Sequence, residues 1–327
     1  MNSRAAWLAF SLMALSVLAL AVGAGIGSTG FESVLRMRDD PVAWQIVGEV
    51  RLPRTVGAWL TGALLGLAGA VAQGLFRNPL ADPFLLGSAS GAMLAVAIAL
   101  ALMGGGTDTA SWVGRLGLTG AAFLGALGGV LLTLLLAKGA QHTMRLLLAG
   151  VVVGYVLGAL KDLVTLSAPE VLSAMVGFVL GNTAFIGWSA CAVMAGVLLP
   201  AMGLAWMLAR VLDGLSLGES TAQSLGLPLA PMRIALVAVL ALATGTAVAQ
   251  AGLIGFVGLA APHLVRPLAR VTHGPLVLLS AMMGGVLLML ADIAARALIW
   301  PQELPVGVLT AVLGGGYLLW LMYRRTR

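Results

Sequence analysis

The chain has 327 residues, of which 60% are hydrophobic and only 9% are charged, and its formal net charge is +6 at pH 7. About a quarter of the residues in a soluble domain are charged, so this composition excludes a water-soluble globular protein. Apolar runs of about 20 residues match the hydrocarbon core of a bilayer, and they must be helical to satisfy their own backbone. The sequence therefore predicts an all-α polytopic membrane protein. Its basic residues lie at span ends, which is typical of membrane orientation and does not indicate a nucleic-acid partner.

Ten membrane spans are predicted. The first, 5–24, is favoured as a retained helix over a signal peptide because it is long for a signal sequence. The eighth is the least regular, since Gly252, Gly255, Gly258 and Pro262 interrupt it. It is kept because the basic loop residues then fall on one side, which makes both termini cytoplasmic. The predicted spans are 5–24, 56–75, 85–103, 116–137, 146–166, 184–208, 234–253, 254–268, 275–299 and 306–323.

Glycines four residues apart recur on the predicted spans. In lipid this spacing favours close helix packing, because small residues let two backbones approach each other. A longer ridge, Gly150, Gly154 and Gly158, leaves one face of the fifth span narrow. It is interpreted either as a packing seam or as a face that lines a transport path. The pairs are Gly62/Gly66, Gly125/Gly129 and Gly177/Gly181.

Residues 213–231 form the longest polar interruption of the chain and are predicted to be a structured loop at the membrane surface. Ser216 and Glu219 have the spacing of a capping box, which satisfies backbone donors at a helix start. Gly226 can adopt the left-handed backbone that closes a helix, and Pro228 prevents continuation. The pattern predicts a short helix, a sharp turn and a second short helix that begins near Pro228. We interpret the loop as a docking site for a partner, with a well-capped connector as the alternative.

The sequence contains no phosphate-binding loop, no catalytic grouping of side chains and no metal-ligand spacing, so no catalytic residue, cofactor or metal is predicted. Charges within spans remain candidates for function. Lys161 and Asp162 are adjacent and are expected to have different partners, because neighbours in sequence point to different sides of a helix. Asp292 and Arg296 are four residues apart, and a structural ion pair is favoured over a role in transport.

Seven motifs, in order along the chain, carry a family resemblance that extends from about Arg51 to the end. They are Arg51–Arg54, Phe76–Pro83 with Leu86 and Gly87, Arg145–Gly150, Leu217–Gly226, Gly255–His263, Ala291–Arg296 and Glu303–Thr310. Together they resemble the FecCD family, the permeases of iron-chelate and cobalamin ABC importers. The chain is accordingly taken as a single permease domain, 1–327, with a family-like core from about 51 to 327.

The resemblance implies import of a bulky metal chelate (ferric siderophore, haem or cobalamin) across the inner membrane by alternating access. It implies a cytoplasmic ABC ATPase dimer, a periplasmic or lipid-anchored substrate-binding protein, and a second permease subunit, most simply a copy of this chain in a homodimer. ATP hydrolysis would then belong to a separate subunit. An ion-coupled secondary transporter is the alternative, which the broken eighth span favours weakly.

The resemblance also implies three groups of site residues. The coupling loop that would contact the ATPase comprises Leu217, Gly218, Glu219, Ala222, Leu225 and Gly226. The translocation path and its inner gate comprise Asn78, Leu80, Thr143, Met144, Gly150, Gly154 and Gly158, and Met144 stands where a small polar residue is expected. The docking sites for acidic residues of the binding protein are Arg51, Arg54 and Arg296. These arginines break the positive-inside pattern and are expected on an exposed rim, with lipid headgroups as their alternative partners.

Overall fold

The structure is a computed structural model that describes residues 3–27, 30–31, 41–103, 112–140, 142–224, 226, 228–299 and 302–325. It is 85% helical, which confirms the helical class. Two-residue strands, β1 (Ile26–Gly27) and β2 (Gly30–Phe31), pair antiparallel after the first helix. The helices are α1 (Ser3–Gly25), α2 (Pro41–Ile46), α3 (Leu52–Leu75), α4 (Ser88–Leu102), α5 (Trp112–Leu136), α6 (Thr143–Ser167), α7 (Glu170–Leu180), α8 (Trp188–Met207), α9 (Ala209–Ser216), α10 (Glu219–Ser224), α11 (Leu229–Ala251), α12 (Val257–Ala269), α13 (His273–Ala297) and α14 (Val306–Arg325).

Seven of the described helices are long and apolar enough to cross a membrane. They are α1, the continuous helix Pro41–Leu75 that contains α3, and α5, α6, α8, α11 and α13. Each coincides with a predicted span. Helix α4 and the apolar part of α14, Val306–Trp320, coincide with two further predicted spans but are shorter. The predicted count of ten spans is therefore not confirmed.

The eighth predicted span, 254–268, is not confirmed as one continuous membrane-crossing helix. Its helical part, α12, has only 13 residues, which is about 20 Å, whereas a bilayer core is about 30 Å thick. The preceding residues are not helical, because Gly252 has φ +70° and Phe256 has φ +67°. Non-helical backbone is tolerated at membrane depth where protein surrounds it. Here the amide of Leu253 donates to the carbonyl oxygen of Phe178 at 3.0 Å, which anchors this segment to α7.

Helix α3 lies at the centre of the bundle. Nearly all of its residues are buried, and it packs against α13, α11, α12 and α8. A methyl group at Gly62 would overlap the carbonyl oxygen of Gly284, and one at Gly66 would overlap that of Ser280. Direct backbone contact of this kind stabilises helix pairs in lipid, where apolar burial contributes little. The Gly62/Gly66 pair therefore lies in a packing seam between α3 and α13, as its spacing predicts.

Helices α4 and α5 meet in the same way. Methyl groups at Gly125 and Gly129 would overlap the carbonyl oxygens of Gly91 and Gly87. The third predicted pair differs, because among the described residues no atom outside the local helix backbone lies within 4 Å of a methyl group placed at Gly177. Glycine spacing thus predicts the α4–α5 seam correctly and does not predict the surroundings of Gly177.

Candidate functional site

Charged and polar side chains collect at two opposite ends of the bundle. The first, which we call the Glu219 end, contains the starts of α6, α11 and α13 and the α9–α10 segment. The second, which we call the Asp292 end, contains the start of α3, the end of α13 and the residues that precede α8 and α14. Among the described residues, no group of three or more His, Cys, Asp or Glu could hold a metal ion.

The capping box predicted at Ser216 and Glu219 does not form. Ser216 is the last residue of α9, and its hydroxyl donates to the carbonyl oxygen of Asp213 at 2.6 Å. Glu219 begins the next helix, α10, but its carboxylate turns inward. The local pattern fails because Glu219 has partners elsewhere in the chain that are stronger than a backbone amide at the helix start.

Glu219 joins the α9–α10 segment to two long helices. Its Oε1 accepts a hydrogen bond from the Thr143 hydroxyl at 2.8 Å, at the first residue of α6. The same oxygen lies 2.7 Å from Nη2 of Arg233, a fully buried side chain in the first turns of α11. Burial alone would raise the pKa of Glu219, but the Thr143 hydrogen bond and the charges of Arg233 and Arg77 lower the pKa below its ordinary value. Glu219 is therefore ionised at neutral pH.

A second carboxylate fastens the same segment to α13. Asp213, in α9, accepts the backbone N–H of His273 at 3.0 Å and lies 2.7 Å from the ring Nδ1 of that residue. His273 is the first residue of α13, so Asp213 satisfies a backbone donor that the helix itself leaves without a partner. The two carboxylates thus connect one surface segment to the starts of three helices. Sequence reasoning missed Arg233 and His273, although both follow the polar segment at the beginning of apolar runs.

The remaining predicted coupling residues lie in or beside α10. Leu217 is exposed and Ala222 is buried. Gly218 has φ +111° and Gly226 has φ +76°, so the left-handed turn predicted at Gly226 is confirmed. Leu225 lies outside the described residues. The segment is a pair of short helices, α9 and α10, followed by a turn into α11, whereas a second short helix was predicted to begin near Pro228.

The predicted gate residues approach the α9–α10 segment. A surface cleft of about 540 Å³ is lined by Phe76, Arg77, His142, Thr143, Met144 and Glu219. Met144 is 72% exposed beside it. Asn78 and Leu80 follow Phe76 and Arg77 in the loop after α3, where the Asn78 Oδ1 accepts the amide of Leu80 at 2.9 Å. The cleft therefore brings Thr143, Met144 and Glu219 together with the two residues that precede the Asn78–Leu80 loop, which their sequence positions do not reveal.

The three glycines of the α6 ridge have different surroundings. A methyl group at Gly150 would overlap the carbonyl oxygen of Leu85, so Gly150 is a packing position. At Gly154 the nearest described atom outside the local helix backbone would be the Ser90 hydroxyl oxygen at 3.7 Å, which is ordinary contact. At Gly158 the described residues place no such atom within 4 Å. The packing interpretation therefore applies to Gly150, and the path-lining interpretation of Gly154 and Gly158 stays a prediction. The same helix leaves large apolar side chains exposed: Leu148, Val152, Tyr155, Val156, Leu163 and Leu166.

At the Asp292 end, two arginines and two acids form what we call the Asp292 cluster: Arg54, Asp292, Arg296 and Glu303. The Asp292 Oδ1 accepts from Nε of Arg54 at 3.0 Å, and its Oδ2 lies 2.7 Å from Nη2 of Arg296. Nη1 of Arg54 lies 2.8 Å from the Glu303 Oε2. The structural ion pair predicted for Asp292 and Arg296 is thus confirmed.

Neighbouring groups complete the Asp292 cluster. The Thr183 hydroxyl donates to the Asp292 Oδ1 at 2.5 Å. Nη1 of Arg296 donates to the carbonyl oxygens of Gly23 at 3.0 Å and Ile26 at 2.9 Å, which connects the end of α1 to α13. Sequence reasoning missed Glu303 as a partner of Arg54, although it begins one of the family motifs.

The expectation that the three arginines stand on an exposed rim is wrong. Arg51, Arg54 and Arg296 are all buried. Arg51 points its Nη1 toward the carbonyl oxygens of Ala24 and Gly25, each at 3.5 Å. Arginine fits a buried position among several acceptors, because its planar guanidinium can donate to more than one of them at once.

The expectation for Lys161 and Asp162 is also wrong. The Lys161 Nζ pairs with the Asp162 carboxylate, although the two residues are adjacent in α6. The lysine side chain is long enough to bend back to its neighbour. Asp162 is exposed, so its carboxylate is free to turn toward the Lys161 ammonium group. Exposed pairs of this kind contribute little to stability.

A bundle of apolar helices with polar clusters at its two ends is typical of a protein that spans a membrane. The chain belongs to the FecCD transport family, whose family model matches residues 11–324. The hemin transport system permease protein HmuU of Yersinia pestis is 36% identical over 321 residues, which are 97% of this chain and 95% of that protein. The vitamin B12 import system permease protein BtuC of Salmonella typhi is 38% identical over 324 residues, or 98% of this chain and 95% of that protein.

Two solved structures resemble this chain to different degrees. A metal-chelate type ABC transporter, solved in an inward-facing conformation, matches with a TM-score of 0.86 at 30% identity, covering 96% of this chain and 98% of that one. PsaBC from Streptococcus pneumoniae, solved in complex with a Fab, matches with a TM-score of 0.56 at 20% identity, covering 80% of this chain and 88% of that one. The second likeness shows the fold alone.

Proposed function

We propose that this chain is the membrane-spanning permease subunit of an ATP-driven importer for a bulky metal chelate, such as a ferric siderophore, haem or cobalamin. Family membership and the hemin and vitamin B12 permeases among its relatives support this substrate class. The observation that carries the proposal is the α9–α10 segment, which two carboxylates join to the starts of α6, α11 and α13. A surface segment attached in this way can pass a displacement on to several membrane helices.

In this proposal the α9–α10 segment is the coupling segment, seated on one ATPase of a cytoplasmic ATPase dimer. Its exposed Leu217 would face the ATPase, while the buried Ala222 and the inward Glu219 hold the segment to the bundle. Closure of the ATPase dimer on ATP moves the segment, and the Glu219–Thr143 bond transmits that movement to α6. Thr143 and Met144 line the cleft, and Phe76 and Arg77 lead from it into the loop that contains Asn78 and Leu80, so both gate loops would move with it.

In this proposal the protein lies in the inner membrane, and its Glu219 end faces the cytoplasm. The basic residues at that end support this orientation by the positive-inside rule; they include Arg77, Arg145, Arg210 and Arg233. Both termini are then cytoplasmic if the chain crosses ten times. The seven long helices, α4, α14 and the stretch formed by residues 252–256 with α12 would supply those crossings.

The exposed apolar face of α6 supports a second permease subunit, and a copy of this chain is the simplest one. Gly154 and Gly158 lie beside that face and add no side chain there, so two such faces could enclose a wide path between the subunits. A smooth path with few charges suits a large ligand that must be released rather than held. Substrate selection would then depend mainly on an external binding protein. The acidic residues of that binding protein would dock at Arg51, Arg54 and Arg296.

Reconstitution tests the proposal against an ion-coupled transporter. The permease, its ATPase and the binding protein encoded with them would be placed in vesicles and supplied in turn with a ferric siderophore, haem and cobalamin. We expect uptake of one of these chelates that requires ATP hydrolysis and is insensitive to ionophores. Uptake that follows an ion gradient without ATP would overturn the proposal.

A further inference from the structure

The Asp292 cluster is electrically balanced without any partner. Its four members carry two positive and two negative charges, and each arginine contacts at least one acid at 3.0 Å or less. A balanced cluster offers little net attraction to the acidic residues of another protein. An external carboxylate can therefore bind Arg54 strongly only if one of the internal acids gives up its place.

The two internal acids are not equivalent. Asp292 is 0% exposed, lies within α13 and contacts both arginines as well as Thr183. Removing it would leave buried cations without a counter-charge, which is strongly unfavourable. Glu303 is 27% exposed and pairs with Arg54 through one nitrogen, Nη1. It lies in the connection between α13 and α14, where a side chain can move without distorting a helix.

We propose that Glu303 acts as an internal substitute for a carboxylate of the binding protein, and that docking replaces one with the other at Arg54. The inference rests on the proposed docking function of this end of the molecule. Exchange of one carboxylate for another keeps Arg54 paired throughout, so the buried guanidinium is never left alone. The released Glu303 is already partly in water, so it regains hydration at little cost.

The exchange has a consequence for α14. Glu303 is followed by Leu304, whose amide donates to the carbonyl oxygen of Ala295 at 3.0 Å, and α14 begins at Val306. Displacement of Glu303 therefore loosens the attachment of this connection to the end of α13. Docking on the outer face is thereby linked to the mobility of the start of α14.

The test is the affinity of the permease–ATPase complex for the binding protein encoded with it, measured in lipid nanodiscs. Glu303→Gln removes the charge but keeps a hydrogen-bond acceptor for Arg54. The internal side chain then competes less strongly with a carboxylate of the binding protein. We expect the Kd to fall by about threefold to tenfold, because a hydrogen bond to a neutral acceptor is weaker than one to a charged acceptor. The matched control is Glu49→Gln, which removes the same charge from an exposed residue two positions before Arg51.

An unchanged or higher Kd for Glu303→Gln overturns the exchange, and so does an equal fall for Glu49→Gln, which would mean a general charge effect. If Glu303→Gln does not assemble, Glu303→Asp, which keeps the charge but is one methylene shorter, is expected to lower the Kd as well. Hydrogen exchange at the Leu304 amide gives an independent measurement. We expect docking to accelerate it in the unmodified complex, and unchanged exchange also contradicts the inference.

The docking proposal itself fails in a different way. If binding is indifferent to salt and to neutralisation of surface acids on the binding protein, the arginines are not docking sites. If binding responds to both while Glu303→Gln changes nothing, docking stands and only the exchange is wrong.

Discussion

The carboxylate of Asp213 holds the first residue of α13 twice, through the backbone N–H of His273 and through its ring. A side-chain acceptor at a helix start contributes about 1 kcal/mol to stability, and here the acceptor comes from a different helix. The start of α13 is therefore attached to the α9–α10 segment.

We expect Asp213→Ala to lower the melting temperature of the permease by about 2–4 °C, because the first turn of α13 loses its cap. Asp213→Asn keeps a neutral acceptor for the His273 amide and should lower the melting temperature by less. Thermal unfolding in detergent checks both. Equal melting temperatures for Asp213→Ala and the unmodified protein would show that the contact contributes nothing.

A second prediction concerns the hydroxyl of Thr143. Thr143→Val preserves the shape of the side chain but removes its hydrogen bond to Glu219. We expect severalfold more ATP hydrolysed per chelate imported, since the coupling segment moves without α6. The control is Thr165→Val, which makes the same change in the same helix, where the hydroxyl contacts only the carbonyl oxygen of Lys161. Normal coupling in both variants would assign Glu219 to stability alone.

The ionisation of Glu219 predicts a dependence on pH. Its folded-state pKa is lowered from the ordinary value of 4.5, so its contribution to stability is present above that value and is lost as the pH falls through the lower folded-state pKa. We expect the melting temperatures of the unmodified protein and Glu219→Gln to differ by a constant amount from about pH 8 to pH 5. The difference should shrink only below the ordinary carboxyl range. A difference that already vanishes near pH 6 would contradict this assignment.

Two glycines of α6 provide a matched pair. Gly150→Leu should lower thermal stability and uptake together, because the new side chain overlaps the backbone at Leu85. Gly158→Leu has free space and should leave stability unchanged while uptake falls, if that face lines the path. Assembled complexes are compared by melting temperature and by chelate uptake. Full uptake by Gly158→Leu would exclude that position from the path.

Loss of Asp292 should be the most damaging single change at the opposite end. Asp292→Asn leaves Arg296 and one side of Arg54 buried without a full counter-charge, which costs about 3–5 kcal/mol. We expect failed assembly or a large fall in melting temperature. Asp162→Asn, which neutralises an exposed acid in α6, should leave assembly intact. Equal behaviour of the two variants would contradict a structural role for the cluster.

The sequence predicts the long helices well because their apolar runs and their limits are local properties. A continuous helix over 254–268 is not confirmed, because hydropathy does not reveal the non-helical backbone before α12, where Gly252 and Phe256 have positive φ angles. The Ser216–Glu219 spacing predicts a capping box that does not form, because Glu219 bonds to Thr143, which lies 76 residues earlier in the chain. The arginines that break the positive-inside rule are identified correctly as unusual. The burial of Arg54 and Arg296 depends on Asp292 and Glu303, which are brought to them only in the folded bundle.

The contrast between α3 and α6 has a consequence for how the substrate range could change. At Gly62 and Gly66 any added atom would strike the backbone of α13, so this part of α3 admits almost no variation. Along α6, Val152, Tyr155 and Val156 contact little within the chain and can be exchanged for other sizes and shapes without repacking its interior. If this face lines the proposed path, a permease built in this way can diversify the surface that meets its cargo while its fold stays the same. Laboratory selection for a new chelate should therefore accumulate substitutions on the open face of α6 and leave the α3–α13 seam untouched.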